Sequence, residues 1–153
     1  MLIRRALREV VSEDDWLLWA DVVEYVRRLY DVNNDRPDGQ EFLMECHSVS
    51  RALVQCVPQL RCVDGILRGV GKENEEWKLQ GCLHSWLVTP DGSIIDAYPV
   101  GFIYFYPVLI PVGHRYSPFG YELYEEDKSL TKQISNRQTY RRSLLLAKVM
   151  KPA

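Results

Sequence analysis

The segment Thr89-Pro90-Asp91-Gly92-Ser93 turns the chain back on itself between the apolar run ending at Val88 and the pair Ile94-Ile95. Proline pre-sets the first turn position, aspartate suits the second, and glycine takes the left-handed residue of a bulged three-residue loop. Such a loop sets Thr89 opposite Ser93, Trp86 opposite Asp96 and His84 opposite Tyr98. Strand side chains alternate between faces, so His84, Trp86, Asp96 and Tyr98 are expected on one face. His84 and Asp96 become diagonal neighbours, with Cα atoms about 7–8 Å apart, within reach of a side-chain hydrogen bond. A two-residue Asp-Gly turn would slip the register by one and carry Asp96 to the opposite face. Pro90 favours the longer loop.

Upstream, Glu45-Cys46-His47-Ser48-Val49-Ser50-Arg51-Ala52-Leu53 opens a helix with Val49, Ala52, Leu53 and Val57 on one stripe, ended by Pro58. A cysteine at a helix start meets unpaired N–H groups and a positive dipole end, which favour the thiolate. A histidine can take the thiol proton, and a carboxylate can hold that histidine in one tautomer and stabilise its charged form. Cys46, His84 and Asp96 therefore compose a nucleophile, a base and an orienting acid. Taken singly, each has a plainer reading: a small buried cysteine, a core histidine, a turn aspartate. His47 and His114 are rivals for the base. Adjacent helical residues do not face each other, which counts against His47, and His114 falls in a Gly/Pro-rich stretch.

The order Cys46, His84, Asp96, with the His84-Ser85-Trp86 element followed by a short turn and an aspartate, resembles the transglutaminase-like branch of the papain-like cysteine protease superfamily. The separations, 38 residues from Cys46 to His84 and 12 from His84 to Asp96, are similar to those of compact bacterial members such as leader-peptide-cleaving proteases of lasso-peptide pathways. The resemblance covers residues 40–100. It implies an α+β, papain/transglutaminase-like fold in which N-terminal helices and the nucleophile helix pack on an antiparallel sheet. It also implies a cysteine-dependent acyl-group enzyme acting on a peptide or protein amide through a thioester: protease, amidase, deamidase or acyltransferase. Gln40 stands at the offset from the cysteine where papain-like proteases carry an oxyanion-hole glutamine, and transglutaminase-like proteins often use other donors. Trp86 and Tyr98, on the face of His84, are candidates for substrate binding. The competing reading is a catalytically silent transglutaminase-like domain that binds or scaffolds.

Composition narrows the remaining classes. A chain of 153 residues, 46% hydrophobic and 26% charged, is most simply one domain with a real core, residues 1–153. Its formal charge of −2 gives no reason to expect nucleic acid or an anionic membrane as partner. No apolar run approaches the roughly 18 residues of a membrane span. Met1-Leu2-Ile3-Arg4-Arg5-Ala6-Leu7-Arg8 has charges where a signal peptide is apolar, so a cytoplasmic location is expected; a dedicated secretion machine would leave no such mark. Cys46, Cys56, Cys62 and Cys82 contain no C-x-x-C pair, which argues against a metal or disulfide framework, and no cofactor is implied. Cys56 and Cys62 read as core residues; Cys82 shares the face of His84.

Other elements follow from pattern. Residues 2–10 form a short amphipathic helix. Ser12, with Asp15 as its capping-box partner, starts a second that runs to about Tyr30, with Trp16, Trp19, Val23 and Val26 on the core stripe. Asp31 to Gly39 is a loop. Residues 61–70 form a strand interrupted at Gly65, 71–76 a turn, and Trp77 to Val88 a long strand. The aromatic and proline-rich segment 98–111 suits irregular or edge strand, because proline cannot donate to a ladder. Residues 124–148 have helical composition, with a break near Ser135-Asn136, and Arg141-Arg142 reads as a solvated face.

Overall fold

The computed structural model describes residues 10–69, 81–98, 106–115 and 122–152. Within them the elements run α1 (Glu13–Asn34), α2 (Cys46–Cys56), β1 (Arg61–Gly69), β2 (Cys82–Val88), β3 (Ile94–Asp96), β4 (Val108–Ile110), β5 (Glu122–Glu126), a 3-10 turn (Lys128–Leu130), α3 (Thr131–Ile134) and α4 (Arg137–Met150). The five strands form one antiparallel sheet in the order β4-β3-β2-β1-β5. The architecture is α+β. Residues 2–9 of the helix expected over 2–10, the turn at 71–76, the strand portion before Gly81 and the segment 99–105 lie outside the described residues; Val10 is helical.

The hairpin has the register that its turn residues demand. Leu87 pairs with Ile95 and Val88 with Ile94, which continues to Thr89 opposite Ser93 and Trp86 opposite Asp96. The Thr89 N–H donates to Ser93 O at 2.9 Å, the Gly92 N–H donates to Thr89 O at 2.9 Å, and Gly92 takes the left-handed conformation at φ 95°. The turn is also tied to the start of α1. Ser12 Oγ donates to Asp91 at 2.8 Å and accepts the Asp15 N–H at 3.2 Å, so half of the expected capping box forms. The other half does not, because the Asp15 carboxylate turns inward to accept the Ser93 hydroxyl.

Alternation along the strands divides the apolar residues between two cores. On one sheet face Leu87, Ile95, Ala97 and Leu109 pack with Val22, Val26 and Leu29 of α1, Val49, Ala52 and Leu53 of α2, and Leu146, Ala147 and Met150 of α4. On the other face Val63, Leu67, Trp86, Ile94, Ile110 and Tyr124 form a second cluster. The α1 stripe is thus centred on Val22, Val26 and Leu29, while Trp16 and Trp19 pack at its margin and Val23 is half-buried.

Four expectations need correction. α1 continues to Asn34 rather than ending at Tyr30; an Arg27–Asp31 ion pair spans the added turn, and the Asp35 N–H still reaches Asp31 O. β1 is uninterrupted, and Gly65 serves close approach: a Cβ there would lie 2.0 Å from Glu125 O and 2.7 Å from the Trp86 ring. Residues 124–126 belong to a strand, β5, which pairs with β1 from Gly65↔Glu126 to Gly69↔Glu122. Arg142 is not purely solvated, since it pairs with Glu45 at 3.4 Å. The break at Ser135-Asn136 is present, with Asn136 capping α4 through the Thr139 N–H at 2.9 Å. β4 is an edge strand. No helix among the described residues is long and apolar enough to cross a membrane.

Candidate active site

Cys46 is the first residue of α2. Its N-cap, Glu45, has extended backbone and makes no side-chain cap, so the first-turn N–H groups of the helix have no capping oxygen from that residue. The thiol is half-buried. β2 and β3 bring His84 and Asp96 together as the register requires: His84 Nε2 lies 2.7 Å from Asp96 Oδ2, and both side chains are 0% exposed. The same carboxylate accepts two more donors, the Tyr124 hydroxyl at 2.7 Å on Oδ2 and the Tyr98 N–H at 3.3 Å on Oδ1. With Nε2 engaged by the carboxylate, Nδ1 is the imidazole nitrogen left for the thiol, and it is buried without a formed hydrogen bond among the described residues.

The electrostatics link the two groups. Burial pushes the Cys46 thiol up, but hydrogen bonding and charge from His47 and His84 outweigh it and bring the pKa down from 9.0 to about 6. Burial likewise works against a charged His84; the Asp96 carboxylate, and after it the thiol, overcome this and hold the imidazole well above its ordinary value. A depressed thiol beside an elevated imidazole favours the thiolate–imidazolium form above about pH 6. Cys62 shows the contrast: burial raises its thiol to about 12. Cys56, also raised by burial, packs against α4 near Ala147 O.

A second polar network lies beneath the helix start. His47 Nδ1 is 3.7 Å from Cys46 Sγ and 2.7 Å from Ser85 Oγ. Ser85 Oγ donates to Asp64 Oδ1 at 2.6 Å, and Asp64 Oδ2 accepts Arg51 Nη2 at 2.7 Å. Arg51 and Ser85 outweigh burial and hold the Asp64 carboxyl below the usual carboxylate range. Arg51 Nη1 also donates to His47 O at 3.2 Å, tying the network to the helix backbone. His47 therefore does approach the thiol, contrary to the expectation for adjacent helical residues, because the contact is made at the helix end with the ring anchored on β2. The ring also lines a cleft of about 190 Å³ with Glu45, Leu83, Gln133 and Arg142.

The remaining sequence candidates do not take the places expected of them. Gln40 is exposed in a turn: its N–H donates to Pro37 O at 3.0 Å, its carbonyl accepts from Arg36, and its amide makes no hydrogen bond among the described residues. Trp86, expected at a substrate surface, is 3% exposed; it stacks beside His84 with ring centroids 6.1 Å apart and meets Tyr124 edge-on at 5.4 Å, walling the imidazole in. Tyr98 is half-buried against the helical core, because β3 ends at Asp96 and the chain bends before alternation can return Tyr98 to the His84 face. Cys82 packs with the second cluster. His114 is exposed. Among the described residues no group of three His, Cys, Asp or Glu is placed to hold a metal ion.

Sequence reasoning missed Tyr124, Ser85, Asp64 and Arg51. Ser85 and Asp64 had a signal: both are polar positions inside apolar strands, and their cross-strand pairing places them side by side. Tyr124 had none, because its short strand lies in a stretch of helical composition. Neither a protein-family model, nor a curated protein, nor a solved structure matches this chain.

Proposed function

We propose that the protein is a cysteine-dependent acyl-group enzyme acting on a peptide or protein amide, with Cys46 as nucleophile, His84 as proton shuttle and Asp96 as the residue that orients and charges it. The observation that carries this reading is the pairing of an uncapped helix-start thiol, lowered to about 6, with an imidazole whose far nitrogen is bound to a buried carboxylate at 2.7 Å. The Cys46 thiolate attacks the amide carbon and the carbonyl electrons move to oxygen. That oxyanion meets the first-turn N–H groups of α2 rather than the Gln40 amide. As the intermediate collapses, the C–N bond breaks and imidazolium Nδ1–H gives its proton to the leaving amine, leaving a thioester on Cys46. Water or a second amine then attacks; neutral His84 takes its proton, and the C–S bond breaks to restore the thiolate–imidazolium pair. The fold that goes with this chemistry is papain/transglutaminase-like, with the nucleophile helix packed on the antiparallel sheet.

The test uses an activated acyl donor, such as a p-nitrophenyl ester or a peptide thioester, followed by acid quench and peptide mass mapping. The wild type accumulates one acyl group on Cys46, while Cys46→Ala takes up none and His84→Ala acylates far more slowly. Acylation spread equally over Cys46, Cys56 and Cys62, or no dependence on His84, contradicts the proposal and favours a silent binding or scaffolding domain.

A further inference from the structure

The thiol has a second histidine beside it, and its proton can be placed by counting donors. Asp64 is held as a carboxylate and offers acceptors only; one oxygen takes Arg51 and the other takes the Ser85 hydroxyl at 2.6 Å. Ser85 has a single proton, and that contact spends it. What Ser85 Oγ presents to His47 at 2.7 Å is a lone pair, so His47 Nδ1 must carry the hydrogen. That one hydrogen is shared in a three-centre arrangement, its short arm to Ser85 Oγ and its long arm to Cys46 Sγ, 3.7 Å away. A nitrogen already protonated cannot accept the thiol proton, which leaves that task to His84.

We propose that His47 is a fixed hydrogen-bond donor to the Cys46 sulfur, locked as the Nδ1–H tautomer by the Ser85–Asp64–Arg51 relay, so that the thiol is served by two histidines with opposite roles. This rests on the thiol-site reading above and adds a residue to it. His84 exchanges a proton with substrate, while His47 keeps its proton and stabilises the sulfur anion each time it is released. The relay explains why Asp64 and Ser85 are buried polar residues in the strands beneath the helix start. It also explains why Arg51, one turn along α2, reaches both Asp64 and the His47 carbonyl.

Two readouts test it on the full chain, neither requiring substrate. Ring nitrogen NMR of histidine-labelled protein above neutral pH should show His47 protonated at Nδ1 and bare at Nε2, with the preference lost in Ser85→Ala. The pH profile of Cys46 alkylation should move up by about one pH unit in His47→Phe, the loss of one hydrogen bond to a charged group. It should stay near wild type in His47→Asn, whose amide keeps a donor at the δ position. The charged and titratable groups around the thiol and His47 are His84 on β2, Asp64 and Cys62 on β1, Arg51 and Glu45 on and before α2, and Arg142 on α4. None of these is changed in the His47 variants. A His47 proton on Nε2, an unmoved edge in folded His47→Phe, or an edge in His47→Asn displaced as far as in His47→Phe overturns the inference. The tautomer measurement on wild type stands even where His47→Phe does not fold. A wild-type edge at the ordinary thiol value removes the thiol site itself, whereas a low edge raised by His84→Asn but not by His47→Phe removes only the role of His47.

Discussion

At the scale of single residues the site depends on how Asp96 is shared. Its Oδ2 receives both His84 and Tyr124 at 2.7 Å, so the tyrosine competes with the imidazole for one oxygen. Asp96→Asn withdraws the charge that lifts His84; the imidazolium and the thiolate it supports both become less favourable, and the low-pH edge of Cys46 alkylation should rise. Tyr124→Phe should act differently. It removes a buried donor to a carboxylate, costing about 1–3 kcal/mol in urea unfolding, yet it leaves Asp96 a stronger partner for His84, so the alkylation edge should not rise. A raised edge in Tyr124→Phe would place the tyrosine among the groups that stabilise the thiolate. The contact between His84 and Asp96 was legible in the sequence because Pro90 and Gly92 dictate a turn, and the turn dictates the register. Tyr124, which completes the carboxylate's shell, was not, since its five-residue strand is too short to show alternation against a helix-rich background. His47 was legible as a rival and discounted by a rule that holds within helices but not at their ends.

Among the elements, β1 is the one on which the arrangement turns. It pairs with β2 on one side and β5 on the other, and so sets both the His84 strand and the Tyr124 strand. Gly65 lies opposite His84 on one side and Glu126 of β5 on the other, with no room for a Cβ. Gly65→Ala forces a Cβ against the Glu125 carbonyl and the Trp86 ring, and should destabilise by about 1–3 kcal/mol or more. The check is a denaturant midpoint together with the near-ultraviolet signal of Trp86; an unchanged midpoint would mean that β5 can yield. A glycine inside an apolar run reads from sequence as an interruption, and only the neighbouring strand reveals it as a clearance. The overrun of α1 past Tyr30 has a similar cause: Asp31, Asn33 and Asn34 have low helix propensity taken singly, and the Arg27–Asp31 pair with the Asp35 cap carries the helix on.

The whole molecule assembles the site by closing two cores around one sheet. The helices press on the Leu87–Ile95 face, while His84 and Asp96 occupy the Trp86–Tyr124 side, and α2 sets its first residue where thiol and imidazole influence each other. Stability and chemistry should therefore separate. Leu53→Ala, in the helical core and 0% exposed, should cost about 2–5 kcal/mol. Cys46→Ala at the half-buried helix start should leave the thermal midpoint close to wild type while abolishing acylation. A Cys46→Ala protein that melts far below wild type would make that cysteine a packing residue. The most direct test of the thiolate–imidazolium pair is site-resolved alkylation across pH, read by mass spectrometry at each cysteine of the wild type. Cys46 should label through an edge near pH 6, following its depressed pKa, while Cys62, at about 12, and Cys56, raised by burial, should stay unlabelled through neutral pH. Cys46 labelling no earlier than Cys56 and Cys62, with an edge at the 9.0 of an unperturbed thiol, would contradict it.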